Sequence, residues 1–313
     1  MDLDSKFVDT HWIRAGKDYN TVPLSVTLAA NERLAIPGIV LASLPATALP
    51  VIEFLSCTLP RVSVDTISTK IQMWFSQEPP SIVHVHEIFV SRPIPSNEFV
   101  SRLSKAVGQA WLDGAQSVID CRFNNGNERL PLWAIAYWTK ILELRGIQSL
   151  WQSSVDWLDK EEKGQKAKGP VSDDLIGVRT LLHTSVAWDS TMPHCNGMTS
   201  TSKLSRFLGP RWLSNDNIDM MVEELVLDLQ GDKDRSHIQV VSLNFPNAIS
   251  NVVTNLARLP SARTKSFLGQ IERKVNDEGL QKLYFPLYVS GNHWIACEID
   301  FKKKTFAFGK LSA

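Results

Sequence analysis

The sequence predicts an α+β chain built from two unlike parts, and three observations carry that reading. Strand-like and helix-like runs alternate between residues 81 and 146, an almost wholly polar stretch follows at 159–174, and closely spaced β-rich runs succeed one another from Tyr284 to Phe308. The chain of 313 residues has room for about two domains. We divide it into an N-terminal α/β domain at 1–158 with no assigned role, a polar linker at 159–174, and a second domain at 175–313.

In the first part, residues 34–52 carry no charge over almost a membrane-spanning length, but Pro37, Pro45 and Pro50 interrupt them, so they read as buried strands and turns and imply no membrane contact. The β-branched run Ser81–Val90 predicts a strand. Ser96 then supplies a cap, and Phe99, Leu103, Val107 and Trp111 recur at helical spacing. Ser117–Phe123 predicts a second strand and 124–127 a turn; Leu132–Leu144 predicts an apolar helix stopped by Gly146, with Trp151–Trp157 extending the helical layer. The run from Asp159 to Pro170 is too polar, and too interrupted by glycine and proline, to bury a face, which predicts the linker.

Beyond it, Leu175–Val186 predicts a helix. Trp212–Ile218 predicts the start of a stronger one, capped by Ser214 or Asn215, with Ile218, Met221, Val222, Leu225 and Leu229 as its apolar stripe. The i,i+4 carboxylates Asp219/Glu223 and Glu224/Asp228 read as a solvated face rather than an acid/base or metal pair. His237–Phe245 predicts a strand and Lys265–Asn276 a helix. Tyr284–Val289, His293–Ile299 and Phe306–Phe308, joined by turns at 290–292 and 300–305, predict an antiparallel meander.

Charge limits the partners. With 33 Lys and Arg against 33 Asp and Glu the net charge is zero, so no global field collects a nucleic-acid backbone, and no nucleic acid is expected. Cys57, Cys121, Cys195 and Cys297 are scattered with no C-x-x-C pair, and Met1–Phe7 lacks the pattern of an export signal. Both features predict an intracellular chain, in nucleus or cytoplasm.

His293, at the point where a loop becomes a strand, is the residue placed to act as a general base. Its surroundings carry a family resemblance. Trp212-Leu-Ser-Asn-Asp-Asn-Ile-Asp opening a helix, then Val240-Val-Ser-Leu-Asn-Phe, then Phe285-Pro-Leu-Tyr-Val-Ser-Gly-Asn-His-Trp-Ile-Ala-Cys-Glu-Ile-Asp-Phe, in that order, resembles the catalytic domain of the SUMO-deconjugating, ubiquitin-like-protein-specific cysteine proteases, including versions attached to fungal mobile elements. It covers roughly residues 205–313. The resemblance implies a partial papain-like cysteine protease domain, hydrolysis of the peptide or isopeptide bond after a modifier's Gly-Gly tail, and SUMO or another ubiquitin-like modifier as partner. It implies His293 as the catalytic histidine and Trp212 and Trp294 as the aromatics flanking the tail. No cofactor goes with it. The position of the family's acid is occupied by Lys310, which cannot accept a proton from imidazole, and the sequence is expected to stop before the nucleophile, leaving a chain without turnover. The alternative is a non-catalytic modifier-binding or protein-interaction module.

Other candidates weigh less. Cys297 shares a strand face with His293, but four residues along a strand is about 13 Å, too far for activation. Cys195 beside His194 is an adjacent pair, and adjacent residues rarely activate one another. His84 and His86 point to one strand face without a third metal ligand nearby, and Gly309-Lys310 lacks the spacing of a phosphate loop.

Overall fold

The computed structural model describes residues 12–63, 70–81, 89, 92–123, 128–192, 199–230, 235–254, 262–291 and 293–310. Among the described residues the chain is mixed α and β with two sheets. It divides into two compact units, one of residues 1–152 with 176–188, the other of 153–175 with 189–313.

Among the described residues the first unit has a 3-10 turn at Tyr19–Thr21 and then the helices α1 (Leu24–Leu34), α2 (Gly38–Leu41) and α3 (Val51–Ser56). The strands expected over 34–52 are therefore replaced by short helical turns. Pro37 and Pro50 sit immediately before α2 and α3, where a fixed φ and a missing N–H are tolerated. Burial there is also uneven, for Val51 and Phe54 are enclosed while Ile39 and Leu41 are exposed. A small antiparallel sheet follows in the order β1 (Phe75–Ser76), β2 (Ser117–Ile119), β3 (Arg129–Pro131). Most of the strand expected over Ser81–Val90, and the turn at 124–127, lie outside the described residues.

Helix α4 (Asn97–Leu112) forms as its sequence demands. The Ser96 Oγ accepts from the Phe99 N–H at 3.4 Å, and Phe99, Leu103 and Trp111 turn inward. Trp74 lies against Phe99 and Trp138 at ring separations of 4.7 and 6.3 Å. Gly108 is required by proximity, because a Cβ there would stand 2.6 Å from the Tyr19 ring. A second aromatic group closes the unit: Trp188 stacks on Phe54 at 4.1 Å, donates its indole N–H to the Ala46 carbonyl, and accepts the Trp151 indole N–H on its own carbonyl.

Helix α5 (Ala134–Lys166) runs straight through Gly146 and through the first half of the expected linker, and the division between units falls inside it. The helix continues for two physical reasons. Gly146 is exposed with open space around it, so nothing needs its special φ, and buried Leu144 and Trp151 hold the helix on either side. The polar run 159–166 consists largely of good helix formers and carries a Glu162–Lys166 i,i+4 ion pair; polarity there marks a solvated helix rather than an unfolded tether. Helix α6 (Asp173–Thr184) then starts two residues earlier than its apolar pattern suggested.

The second unit is built on a sheet of order β4 (Ile238–Val240), β5 (Lys282–Val289), β6 (His293–Asp300), β7 (Thr305–Lys310). Strands β5, β6 and β7 form the expected antiparallel meander, while β4 runs parallel to β5. Pro286 is tolerated in β5 because β4 pairs only as far as Tyr284. Left-handed Ser290 and Gly291 turn β5 into β6, with Val289 opposite His293. The buried Asp300 accepts the Lys303 N–H at 2.8 Å and closes the next turn. Helices α7 (Asn215–Gln230), α8 (Asn244–Thr254) and α9 (Ala262–Asp277) complete the unit. Phe245 from α8 and Ile271 from α9 cover one sheet face, packing with Leu283, Phe285 and Cys297. Among the described residues no helix is long and apolar enough to cross a membrane.

The exposed Gly146 generates a stability prediction. Gly146→Ala adds a Cβ that meets nothing within 4 Å and restricts the unfolded chain. The substitution should raise unfolding free energy by about 0.5–1 kcal/mol in urea denaturation. A destabilised variant would contradict an uninterrupted helix at this point.

Candidate functional site

The segment that enters α7 is organised by one side chain. Asn217 is completely enclosed; its Oδ1 accepts from the Ser214 N–H at 3.1 Å and the Ser214 Oγ–H at 2.7 Å, and its Nδ2 donates to the Lys203 carbonyl at 2.9 Å. Capping thus runs the opposite way from the sequence expectation, since Asn217 in the first turn reaches back to Ser214. The S-x-x-N spacing is the signal that was available, a capping box with Asn in place of Glu or Gln.

Upstream, Arg211 donates to the Ser154 Oγ at 2.6 Å and to the Ser205 carbonyl at 3.0 Å, and Arg206 donates to the Trp212 carbonyl at 3.1 Å. Burial, reinforced by nearby Arg206, pulls the Arg211 guanidinium below its ordinary pKa. None of these anchors was read from the sequence, because an arginine beside a tryptophan carries no pattern of its own.

On this held backbone the Trp212 side chain is 67% exposed. All ten tryptophans fall within the described residues, and Trp212 alone among them is exposed. Trp294 is its opposite. Buried with Leu213, Ile218 and Leu243, it donates its indole N–H to the Leu213 carbonyl at 3.2 Å and holds Tyr288 against its ring at 4.7 Å. The two tryptophans named by the sequence are thus linked through one residue, Leu213, but only Trp212 presents a free ring surface.

His293 opens β6 as expected. Side chains alternate along a strand, so His293 and Cys297 share one face and Trp294 takes the other. The His293 Nε2 is enclosed and, among the described residues, has no hydrogen-bond partner. Cys297, in the core opposite Phe285, is a poor source of thiolate because burial pushes its thiol up. About 13 Å of strand separates the two positions. Lys310, at the position where the resemblance expects an acid, pairs through its backbone with Ile295 on the adjoining strand, two residues in register from His293. Cys195 and His194, like His84 and His86, lie outside the described residues, and among those that are described no cluster of His, Cys, Asp or Glu could hold a metal ion.

The acidic side of α7 differs from expectation. Ile218 and Val222 are buried, but Met221 and Leu225 are exposed, so the stripe is narrower and rotated toward the carboxylates. Asp219 is partly buried and accepts the Leu243 N–H at 3.2 Å, while the Glu223 Oε2 is enclosed without a hydrogen-bond partner among the described residues. The Asp219/Glu223 pair is therefore no solvated face. Burial raises the Asp219 pKa above its ordinary value, with Asp216 adding to the rise and the Leu243 N–H opposing it.

That shift has a definite sign. An acid whose native pKa lies above its unfolded value of about 3.9 lowers stability as pH climbs from there through the native pKa, and the loss is then constant. Asp219→Asn can keep an oxygen acceptor for Leu243 without the ionisation. Relative to wild type, the variant should be more stable at pH 7 than at pH 4 in parallel urea titrations; an equal difference at both pH values would contradict the raised pKa. Set against known protein families, curated proteins and solved structures, the chain matches none of them.

Proposed function

We propose that the second unit is a recognition module of the ubiquitin-like-protein-specific protease type, which binds the C-terminal Gly-Gly tail of SUMO or a related modifier and does not itself hydrolyse the bond. The observation that carries this reading is Trp212, an exposed indole on a backbone fixed by Arg206, Arg211 and Asn217. An exposed aromatic on a fixed backbone is the residue type that dominates protein interfaces. Trp294 supports it from beneath through Leu213. A glycine tail suits such a surface because it lets backbone approach an aromatic without a Cβ intervening.

Hydrolysis would need a thiolate within about 3 Å of the His293 imidazole and an acceptor to steady the imidazolium. In this unit the described cysteine is Cys297, buried and four residues along the strand. The Lys310 position supplies a cation where an acceptor is needed. With such a partner goes an intracellular setting, nucleus or cytoplasm.

Calorimetric titration of SUMO into the full chain tests the binding. Trp212→Ala, which removes exposed surface only, should weaken association about 10-fold while leaving the melting temperature unchanged. An absence of binding by wild type overturns the reading. Labelling of any cysteine by a modifier vinyl-sulfone probe, or cleavage of a SUMO precursor, overturns its non-catalytic half.

A further inference from the structure

The cations beside Trp212 are not all balanced. Lys203 meets Asp216 at 2.9 Å, so its charge is closed locally. Arg206 is partly exposed, and among the described residues its side chain makes one hydrogen bond, from Nη1 to the Trp212 carbonyl at 3.1 Å, and meets no carboxylate. A guanidinium carries several N–H donors in a fixed fork, so most of that fork, and its charge, stays available next to the indole's own backbone. Arg211 stands close enough for Arg206 to add to the lowering of its pKa, so two guanidiniums meet at this segment. The chain as a whole is neutral, which makes the positive excess here a local one.

An anion is what this end of the Trp212 surface lacks. A carboxylate suits it, because its two oxygens match the guanidinium fork and such charge-assisted bonds are about twice as strong as neutral ones. The Gly-Gly tail carries a carboxylate in only one of its chemical states. As a free C-terminus its last glycine ends in one; in a precursor or a conjugate the same carbon belongs to an uncharged amide. Two extended glycines span about 7 Å, so a tail laid along an indole ends within reach of a group held on the backbone beneath it.

We propose that Arg206 holds the free terminal carboxylate of the modifier, and that the second unit thereby selects the processed, unconjugated modifier over its precursor and conjugates. This selection rests on the modifier-binding reading and adds to it the form of the partner. Trp212 supplies contact surface, and Arg206 supplies the choice of form. The species bound is the product of hydrolysis after Gly-Gly and not its substrate, in keeping with a module that does not cleave.

The test is calorimetric titration of the full chain with two forms of SUMO, one ending in a free Gly-Gly carboxylate and one semisynthesised with a terminal carboxamide. The carboxylate form should bind about 10-fold more tightly, and added salt should shrink that ratio. Arg206→Gln keeps an amide donor for the Trp212 carbonyl without the charge, and should bring the two forms to equal affinity by weakening the carboxylate form alone. Arg206→Lys, which keeps the charge without the fork, should retain part of the preference. A variant that weakens both forms alike and leaves their ratio unchanged would make Arg206 a structural support only, and overturns the proposal. The wild-type comparison needs no variant to fold: equal affinity for the two forms overturns the proposal and leaves the modifier-binding reading standing, whereas no binding of either form overturns both.

Discussion

The second unit depends on the enclosed amide of Asn217. Its oxygen satisfies both donors of Ser214 and its nitrogen satisfies the Lys203 carbonyl, so three backbone or side-chain groups that would otherwise be stranded are paired at one point. Each buried polar group left unpaired costs about 1–3 kcal/mol, which makes this junction far more restrictive than its size suggests. It fixes where α7 begins and which way Leu213 faces. The Leu213 carbonyl in turn receives the Trp294 indole, tying β6 to the helix start.

The sheet then assigns its residues to two chemically different faces. One is dry, filled by Leu283, Phe285 and Cys297 under α8 and α9. The other carries Trp294 together with the Lys282, Tyr284 and Glu298 network, in which hydrogen bonds from Tyr284 and Lys282 hold the Glu298 carboxyl below its ordinary pKa. Strand alternation is therefore a constraint on chemistry. Adjacent His293 and Trp294 cannot serve the same surface from within β6, so the indole acts as a support for α7 while the imidazole faces the opposite way.

Much of this architecture was legible in the sequence, where local pattern and tertiary need agreed. Ser96 followed by Phe99, Leu103 and Trp111 specifies α4 by cap and by period, and β5 to β7 follow from β-rich runs separated by turn residues. The readings that failed share a cause. Gly146 and the polar run 159–166 were judged by composition alone, but a helix already held by Leu144 and Trp151 tolerates one glycine and continues through Lys and Glu at little cost. In 34–52 Pro37 and Pro50 do not break strands but stand immediately before helices. Around the site, Trp212, His293 and Trp294 were named from sequence, whereas Asn217, Arg206 and Arg211 were not, because what they bind is mostly backbone carbonyl and amide, which no residue pattern records.

Those unrecorded anchors are what give the Trp212 surface meaning. An exposed tryptophan on a loose loop must lose conformational freedom when it binds, at about 0.5–1.5 kcal/mol for each side chain immobilised and more for the backbone beneath it. Here the backbone has already lost that freedom, since Arg206 holds the Trp212 carbonyl, Arg211 holds the turn before it, and Trp294 holds the Leu213 carbonyl after it. The ordering is part of folding this unit, stabilised by the same bonds that start α7. A partner reaching Trp212 would therefore meet an exposed indole on a backbone already set by folding, and less of the free energy of contact would go into ordering the segment.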